Sequence, residues 1–315
     1  MALKTSDLLD FYYTELYPEL QELEKERLRV KRQVIWSVVI IAAIALALMK
    51  ATYGTTIDAP FYIAGVALLF GTGVVNGLIS SYRKRFKSDI LGRLVARIDP
   101  KLVYQPFGMV SKNLFQRSGL FGTDFDHYEG HDLIHGRIGE TPLRLSNLKV
   151  EKDSGKPGRR RQRVTIFSGT FIVTEFHKTF HHTLKIYPDV AEKYMGVVGG
   201  WLQGTGSGVV RLDSPAFEKE FKVIADDPVE AHYLLTPNIM EKLVRLRRKA
   251  DAPVYLSFRR NQLFIAIDNG GGWFEPTLFK SLLRVDVFRN YVENLNLVLG
   301  IVEDLNLNRR IWSKE

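Results

Sequence analysis

Apolar and polar positions change their spacing along this 315-residue chain, and each change marks an element. Two stretches are almost wholly apolar. VIWSVVIIAAIALALM, Val34 to Met49, is uncharged. At about 1.5 Å per residue it covers roughly 25 Å, a little under a bilayer core of about 30 Å. Lys31, Arg32 and Lys50 flank it, and their long stems can reach the headgroups. The second stretch, Pro60 to Ser81, spans easily, and the connecting KATYGTTIDA carries one Lys and one Asp. The pattern predicts a transmembrane hairpin over 33–82, with spans at about 33–50 and 59–81. Ala43 with Ala47 and Gly73 with Gly77 are small residues four apart, a spacing that lets helix backbones approach closely. Asn76 is the amide inside a span, at about the depth of Ser37, and a hydrogen bond between them is expected, with a homo-oligomer contact as the alternative.

On either side the spacing is helical. Residues 1–32 read as an amphipathic arm, with Leu9, Leu16, Leu20, Leu23 and Val30 on one stripe and Pro18 expected to break or kink it. Such an arm wants a partner helix. Residues 83–102 continue the second span as a helix, with Ile90, Leu91, Leu94, Val95 and Ile98 on one face and Asp99-Pro100 as the stop.

From Val103 the period shortens to two. HDLIHGRIGETPLRLSNLKVEK reads as a strand hairpin with Gly139-Glu140 in its turn. RVTIFSGTFIVTEF, HTLKIYP, VYLSF and LFIAI read as further strands. Short strands on tight loops argue for an antiparallel sheet. Asp227-Pro228-Val229-Glu230 and Thr236-Pro237 start helices, and Phe288, Tyr291, Leu295, Val298, Val302 and Leu305 mark a long C-terminal one. The fold class is therefore α+β: a two-helix hairpin, then a domain over 103–315 with an antiparallel sheet and flanking helices.

Charge adds the orientation. Lys25, Arg27, Arg29, Lys31 and Arg32 precede the first span, and Arg83, Lys84, Arg85 and Lys87 follow the second. Basic flanks are retained in the cytoplasm, so both termini are expected there. The formal charge of +9 collects at these flanks and in one loop, Lys156 with Arg159, Arg160, Arg161 and Arg163. Together with Arg83, Lys84 and Arg85 that loop is a candidate surface for anionic lipid. No recognition module for nucleic acid is apparent. The chain has no Cys, which excludes disulfides and thiolate chemistry.

The order of SGLF (Ser118 to Phe121), YEGHDLIHGRIG, FSGTF (Phe167 to Phe171), FHKTF, FEKEFKV, DDPVEAHYLLTP, YLSF, LFIAI and WFEP resembles a bacterial family catalogued as domain of unknown function three-one-three-seven. The resemblance runs over roughly Leu102 to Leu283. It implies a multi-pass protein of the bacterial inner membrane with a cytoplasmic domain and a protein partner, and supplies no activity. His131 stands where the family usually has a carboxylate.

The remaining chemistry is histidine. His127, His131 and His135 interleave with Asp126, Glu129 and Asp132. On a strand His131 and His135 would share a face about 13 Å apart, too far for one ion at about 2 Å from each ligand. A metal site would need a second strand that brings His181 or His182 near His135. No cofactor motif is present: the glycine-rich MGVVGGWLQGTGSGVV lacks the phosphate-cradle ending. The expected function is a membrane-anchored cytoplasmic binding or scaffolding module. A metal-dependent hydrolase built on residues 126–135 and an anionic-lipid sensor built on 156–163 are the alternatives.

Overall fold

The computed structural model describes residues 10–52, 59–122, 124–155, 162–175, 181–189, 208–276 and 278–304. They form two units. One holds Leu94–Phe274 and the chain from Tyr291; the other holds the chain up to Arg93 and Glu275–Asn290. The fold is α+β, with two long apolar helices near the N-terminus and an antiparallel sheet with helices beside it.

In the helical unit, α1 runs unbroken from Tyr17 to Ala51, so the polar arm and the first apolar segment are one rod. Pro18 stands in the first turn of this helix, where the sequence places a break and the start of a second helix. The turn before it, Tyr12–Leu16, is wound as a π-helix, which accommodates the N–H that proline lacks. α2 spans Ala59–Arg85, a second π turn follows at Phe86–Leu91, and α3 covers Gly92–Ile98, of which the residues from Leu94 on belong to the sheet unit. Of the arm's stripe, Leu16, Leu20, Leu23 and Val30 are buried, and Leu9 lies outside the described residues.

α1 and α2 pack through Val34, Ala45 and the Ile41–Gly71 approach, where a Cβ on Gly71 would meet the Ile41 side chain at 3.8 Å. Ala43, Ala47, Gly73 and Gly77 lie on outward surfaces, and a Cβ on either glycine would meet nothing within 4 Å. Helical rotation explains this: the contact follows Ser37, Ile41 and Ala45, and residues two places on point elsewhere. Asn76 is exposed and Ser37 half-buried.

The sheet has nine strands among the described residues, in the order β1-β2-β3-β4-β9-β8-β5-β7-β6, each pair antiparallel. Their ranges are Leu102–Gln105, His127–Ile138, Thr141–Ser154, Gln162–Glu175, Thr183–Pro188, Gly208–Val210, Phe221–Ala225, Val254–Arg259 and Gln262–Ile267 for β1 to β9. Ile138 pairs with Thr141, leaving Gly139-Glu140 as the predicted two-residue turn, with Gly139 at φ 59°. β6 emerges from the end of the glycine-rich stretch, and β7 from FEKEFKV.

One face of the sheet is capped by residues 110–125. Val110, Phe115, Leu120 and Phe125 pack on Leu148, Val150, Phe167, Phe171, Tyr187, Tyr255 and Phe264. A short helix, α4 (Lys112–Ser118), carries Phe115. Ser111 caps its start and Gly119, at φ 60°, ends it. SGLF thus supplies a helix stop and Phe121, whose ring stacks on Phe115 at 5.4 Å. Each fully buried Phe contributes about 2–3 kcal/mol of transfer free energy, which makes this aromatic cluster a main source of cohesion. The other face presents Leu143, Leu145, Ile172, Ile265, Leu256 and Ile186, all buried.

FSGTF owes its glycine to this sheet. A Cβ on Gly169 would stand 2.0 Å from the Ile267 carbonyl oxygen, so only glycine lets β4 approach the end of β9. The turn beyond, DNGGG, returns a hydrogen bond from Gly270 N–H to the Ser168 carbonyl at 2.9 Å.

Candidate functional site

Among the polar side chains buried on the apolar face of β2, β3 and β4 are Asp132, Asn147 and Thr170, each with almost no exposure. They stand side by side because Asn147 is the register partner of both His131 and Thr170. Burying such groups is costly unless each is hydrogen-bonded, and here they bond to one another. Asn269 Nδ2 donates to Thr170 Oγ1 at 3.1 Å, Thr170 Oγ1 donates to Asn147 Oδ1 at 2.9 Å, and Asn147 Nδ2 donates to Asp132 Oδ2 at 3.2 Å. Every donor in the chain points toward the carboxylate, so each bond polarises the next.

Asp132 is the sink of this relay. Its Oδ1 accepts from Tyr104 Oη at 2.6 Å, and its Oδ2 lies 2.6 Å from His131 Nδ1. With Asp132 ionised, the carboxylate only accepts and Nδ1 of His131 is the donor, which holds the ring in a defined orientation. The imidazole is about two-fifths exposed while the carboxylate is fully buried. This is the geometry by which a buried acid orients a histidine for proton handling or ligation.

The backbone pays for the arrangement. Asp132 sits at φ 62°, a left-handed conformation that Asp tolerates better than most residues, and its N–H bonds to the Pro106 carbonyl at 3.0 Å. Between the pairs His131–Asn147 and Ile134–Leu145, two residues of β2, Asp132 and Leu133, oppose one of β3, Ser146. This β-bulge corrects the expectation that His131 and His135 share a face. The additional residue flips the alternation, so His131 stands with Asn147 and His135 with Arg144 on the opposite face. Gly130 of the same EGHD segment has no room for a Cβ, which would lie 2.7 Å from the Asn147 carbonyl oxygen.

The other candidate ligands are dispersed. His127 Nε2 lies 3.2 Å from Asp153 Oδ1, Asp126 accepts from the Asp153 N–H at 2.8 Å, and Glu129 is exposed. His181 precedes β5, five strands from β2 in the sheet order, or roughly 24 Å at about 4.8 Å per strand. Its N–H is taken by Glu230. The structure therefore does not bring His131, His135 and His181 together. Tyr104, Asn147, Thr170 and Asn269 were not singled out by sequence. Their signal is polar residues at apolar positions of strands, together with FSGTF and DNGGG.

The basic residues sort as follows. Lys156, Arg159, Arg160 and Arg161 lie outside the described residues. Arg163 is exposed, within 4.0 Å of Glu151 and 3.9 Å of Asp153. Arg83 reaches Glu275 at 3.5 Å and Arg85 reaches Glu26 at 2.6 Å. Lys84 is at the end of α2. Within the helical unit, Glu24 and Arg27 bind each other and the 278–282 segment. Arg27 donates to the Leu278 carbonyl, and Leu282 N–H donates to Glu24 at 3.0 Å. Burial works to raise the Glu24 carboxyl, but the hydrogen bonds from Arg27, Leu282 and Ser281 outweigh it and hold the group below its ordinary 4.5. Tyr12, whose hydroxyl donates to the Leu283 carbonyl at 2.9 Å, is pushed up to about 12 by burial first and by Tyr13 and Tyr17 next.

An α+β chain with two long apolar helices and this antiparallel sheet is the class the geometry defines. Residues 165–307 match the family described as "Protein of unknown function (DUF3137)", the family that the ordered motifs resemble. The match takes in Thr170 and Asn269; Asp132 and Asn147 precede it. No curated protein matches the chain. A solved structure, "crystal structure of the mycobacterial trehalose monomycolate transport factor A, TtfA", is similar at 10% identity over 66% of this chain and 93% of that one, with a TM-score of 0.34. That likeness is too loose to carry an argument.

Proposed function

We propose that the protein is a membrane-anchored binding or scaffolding module of the bacterial inner membrane. In this reading α1 and α2 cross the bilayer as a hairpin, both termini are cytoplasmic, and the sheet unit engages a protein partner. One observation carries the reading. Trp36, Val39, Ile40, Ile44, Leu46, Phe61, Val66, Leu69 and Phe70 are each at least half exposed on two helices long enough to span. In water so much apolar surface would be a liability; in lipid it is the solvated face. The basic residues at the ends of both helices support the orientation.

The test is cross-linking of the tagged full-length protein in cells, with mass spectrometry of the membrane extract. One dominant partner at near-equal abundance, in a fraction that resists alkaline extraction, is expected. Release by alkaline carbonate would overturn the anchor, and recovery of lipid alone would overturn the scaffold.

A metal-dependent hydrolase is the second reading, favoured by the imidazole that Asp132 orients. Stoichiometric metal in the purified protein, lost in His131→Ala, would establish it over the scaffold.

A further inference from the structure

The cations around the apolar helices are not equivalent. Arg27 is bound by Glu24, Arg85 by Glu26 and Arg93 by Glu19. Arg83 and Lys87 meet Glu275, and Lys31 lies 5.9 Å over the Phe279 ring. Lys25, Arg29 and Arg32 differ: all three are exposed and, among the described residues, in no ion pair. With Trp36 they are spaced by four, three and four along α1, so they fall within about 60° of arc on one face. Trp36 is 60% exposed, and on the far side of it the same face continues as Val39 and Ile40. At about 1.5 Å per residue, Arg32, Arg29 and Lys25 lie roughly 6, 10 and 16 Å from Trp36 along the axis.

We propose that Lys25, Arg29, Arg32 and Trp36 form a binding stripe for anionic phospholipid headgroups. Tryptophan prefers the boundary between headgroup and acyl chain. With the ring there, the Arg32 guanidinium lies among the phosphates, Arg29 at their outer edge and Lys25 within a Debye length of about 8 Å beyond. The ion-paired cations of α2 and α3 have carboxylates beside them and contribute less to the field. The stripe gives the anchor a lipid preference and graded weights, Arg32 over Arg29 over Lys25. It rests on the membrane-anchored reading.

The test compares full-length protein in nanodiscs of phosphatidylcholine with nanodiscs that also hold phosphatidylglycerol, reading the lipid retained by native mass spectrometry. Phosphatidylglycerol should be enriched around the wild type and lost progressively as salt is raised, an arm that needs no mutation. Arg32→Gln should reduce the enrichment about five-fold, Arg29→Gln less and Lys25→Gln least, while Arg245→Gln on the sheet unit should leave it unchanged. No enrichment in wild type, or an enrichment that the triple variant keeps, overturns the stripe. So does loss of a protein cross-link in the triple variant with lipid unchanged, which would assign the stripe to an acidic partner. Alkaline extraction separates the two readings: protein that stays in the membrane without lipid preference sinks the stripe alone.

Discussion

Arg27 holds Glu24, one helical turn before it, through two hydrogen bonds of 2.8 and 2.7 Å, with the guanidinium side chain only 5% exposed. Removing one charge of such a pair leaves the other buried without its counterion. Arg27→Met or Glu24→Leu alone should destabilise the protein by about 3–5 kcal/mol, and the double replacement by clearly less. Denaturant unfolding of the detergent-solubilised set measures the coupling; additive losses would show that the two side chains act independently.

The same pair sets an acid response. Glu24 is held below 4.5, so the folded state binds its proton less readily than the unfolded chain does. Its contribution is complete above the unfolded value and disappears as pH falls through the folded one. Melting temperature should fall as the medium is acidified below about pH 4.5, and the slope should flatten in Glu24→Gln. An unchanged slope would remove Glu24 from the acid transition.

Asp132 collects hydrogen bonds from three side chains. Asp132→Ala strands those donors and keeps the left-handed backbone, at an expected cost of about 3–5 kcal/mol. Asp132→Asn tolerates the backbone and restores one acceptor, so it should lose less. If the alanine variant melted like the wild type, the relay would have no part in holding the sheet.

Gly169→Ala places a methyl group 2.0 Å from the Ile267 carbonyl oxygen. β4 cannot then pair with β9 in register, and the loss should exceed about 3 kcal/mol or abolish soluble folding of the sheet. Gly73→Ala, with nothing within 4 Å of the new methyl group, is the control and should leave stability unchanged.

Much of this architecture was legible in the residues. The apolar lengths gave both long helices. Alternation gave β2, β3, β4, β5, β8 and β9, and Asp227 was readable as a cap because its Oδ1 does accept from Val229 N–H at 2.8 Å. What escaped was everything decided by neighbours distant in sequence. β7 is only Phe221–Ala225 and draws its pairing from β5 and β6. The small residues of α1 and α2 were recognisable, but which of them face each other depends on a rotation that spacing does not report. Asn147 and Thr170 look like ordinary polar positions in strands until register sets them beside Asp132. The histidine geometry failed for one reason, a bulge that no local pattern announced.

That bulge is a change of phase. Up to His131 the strand counts odd residues toward Asn147's face, and from Ile134 it counts even ones. A one-residue deletion between them would remove that phase change, because two steps of β2 would then match the two steps of β3 from Asn147 to Leu145. Ile134 and Ile138 would keep their side of the sheet, while Asp132 would lose the left-handed turn that places it beside Asn147. The strand thus carries one residue more than its pairing needs, and that extra length is what lets Asp132 stand among buried partners.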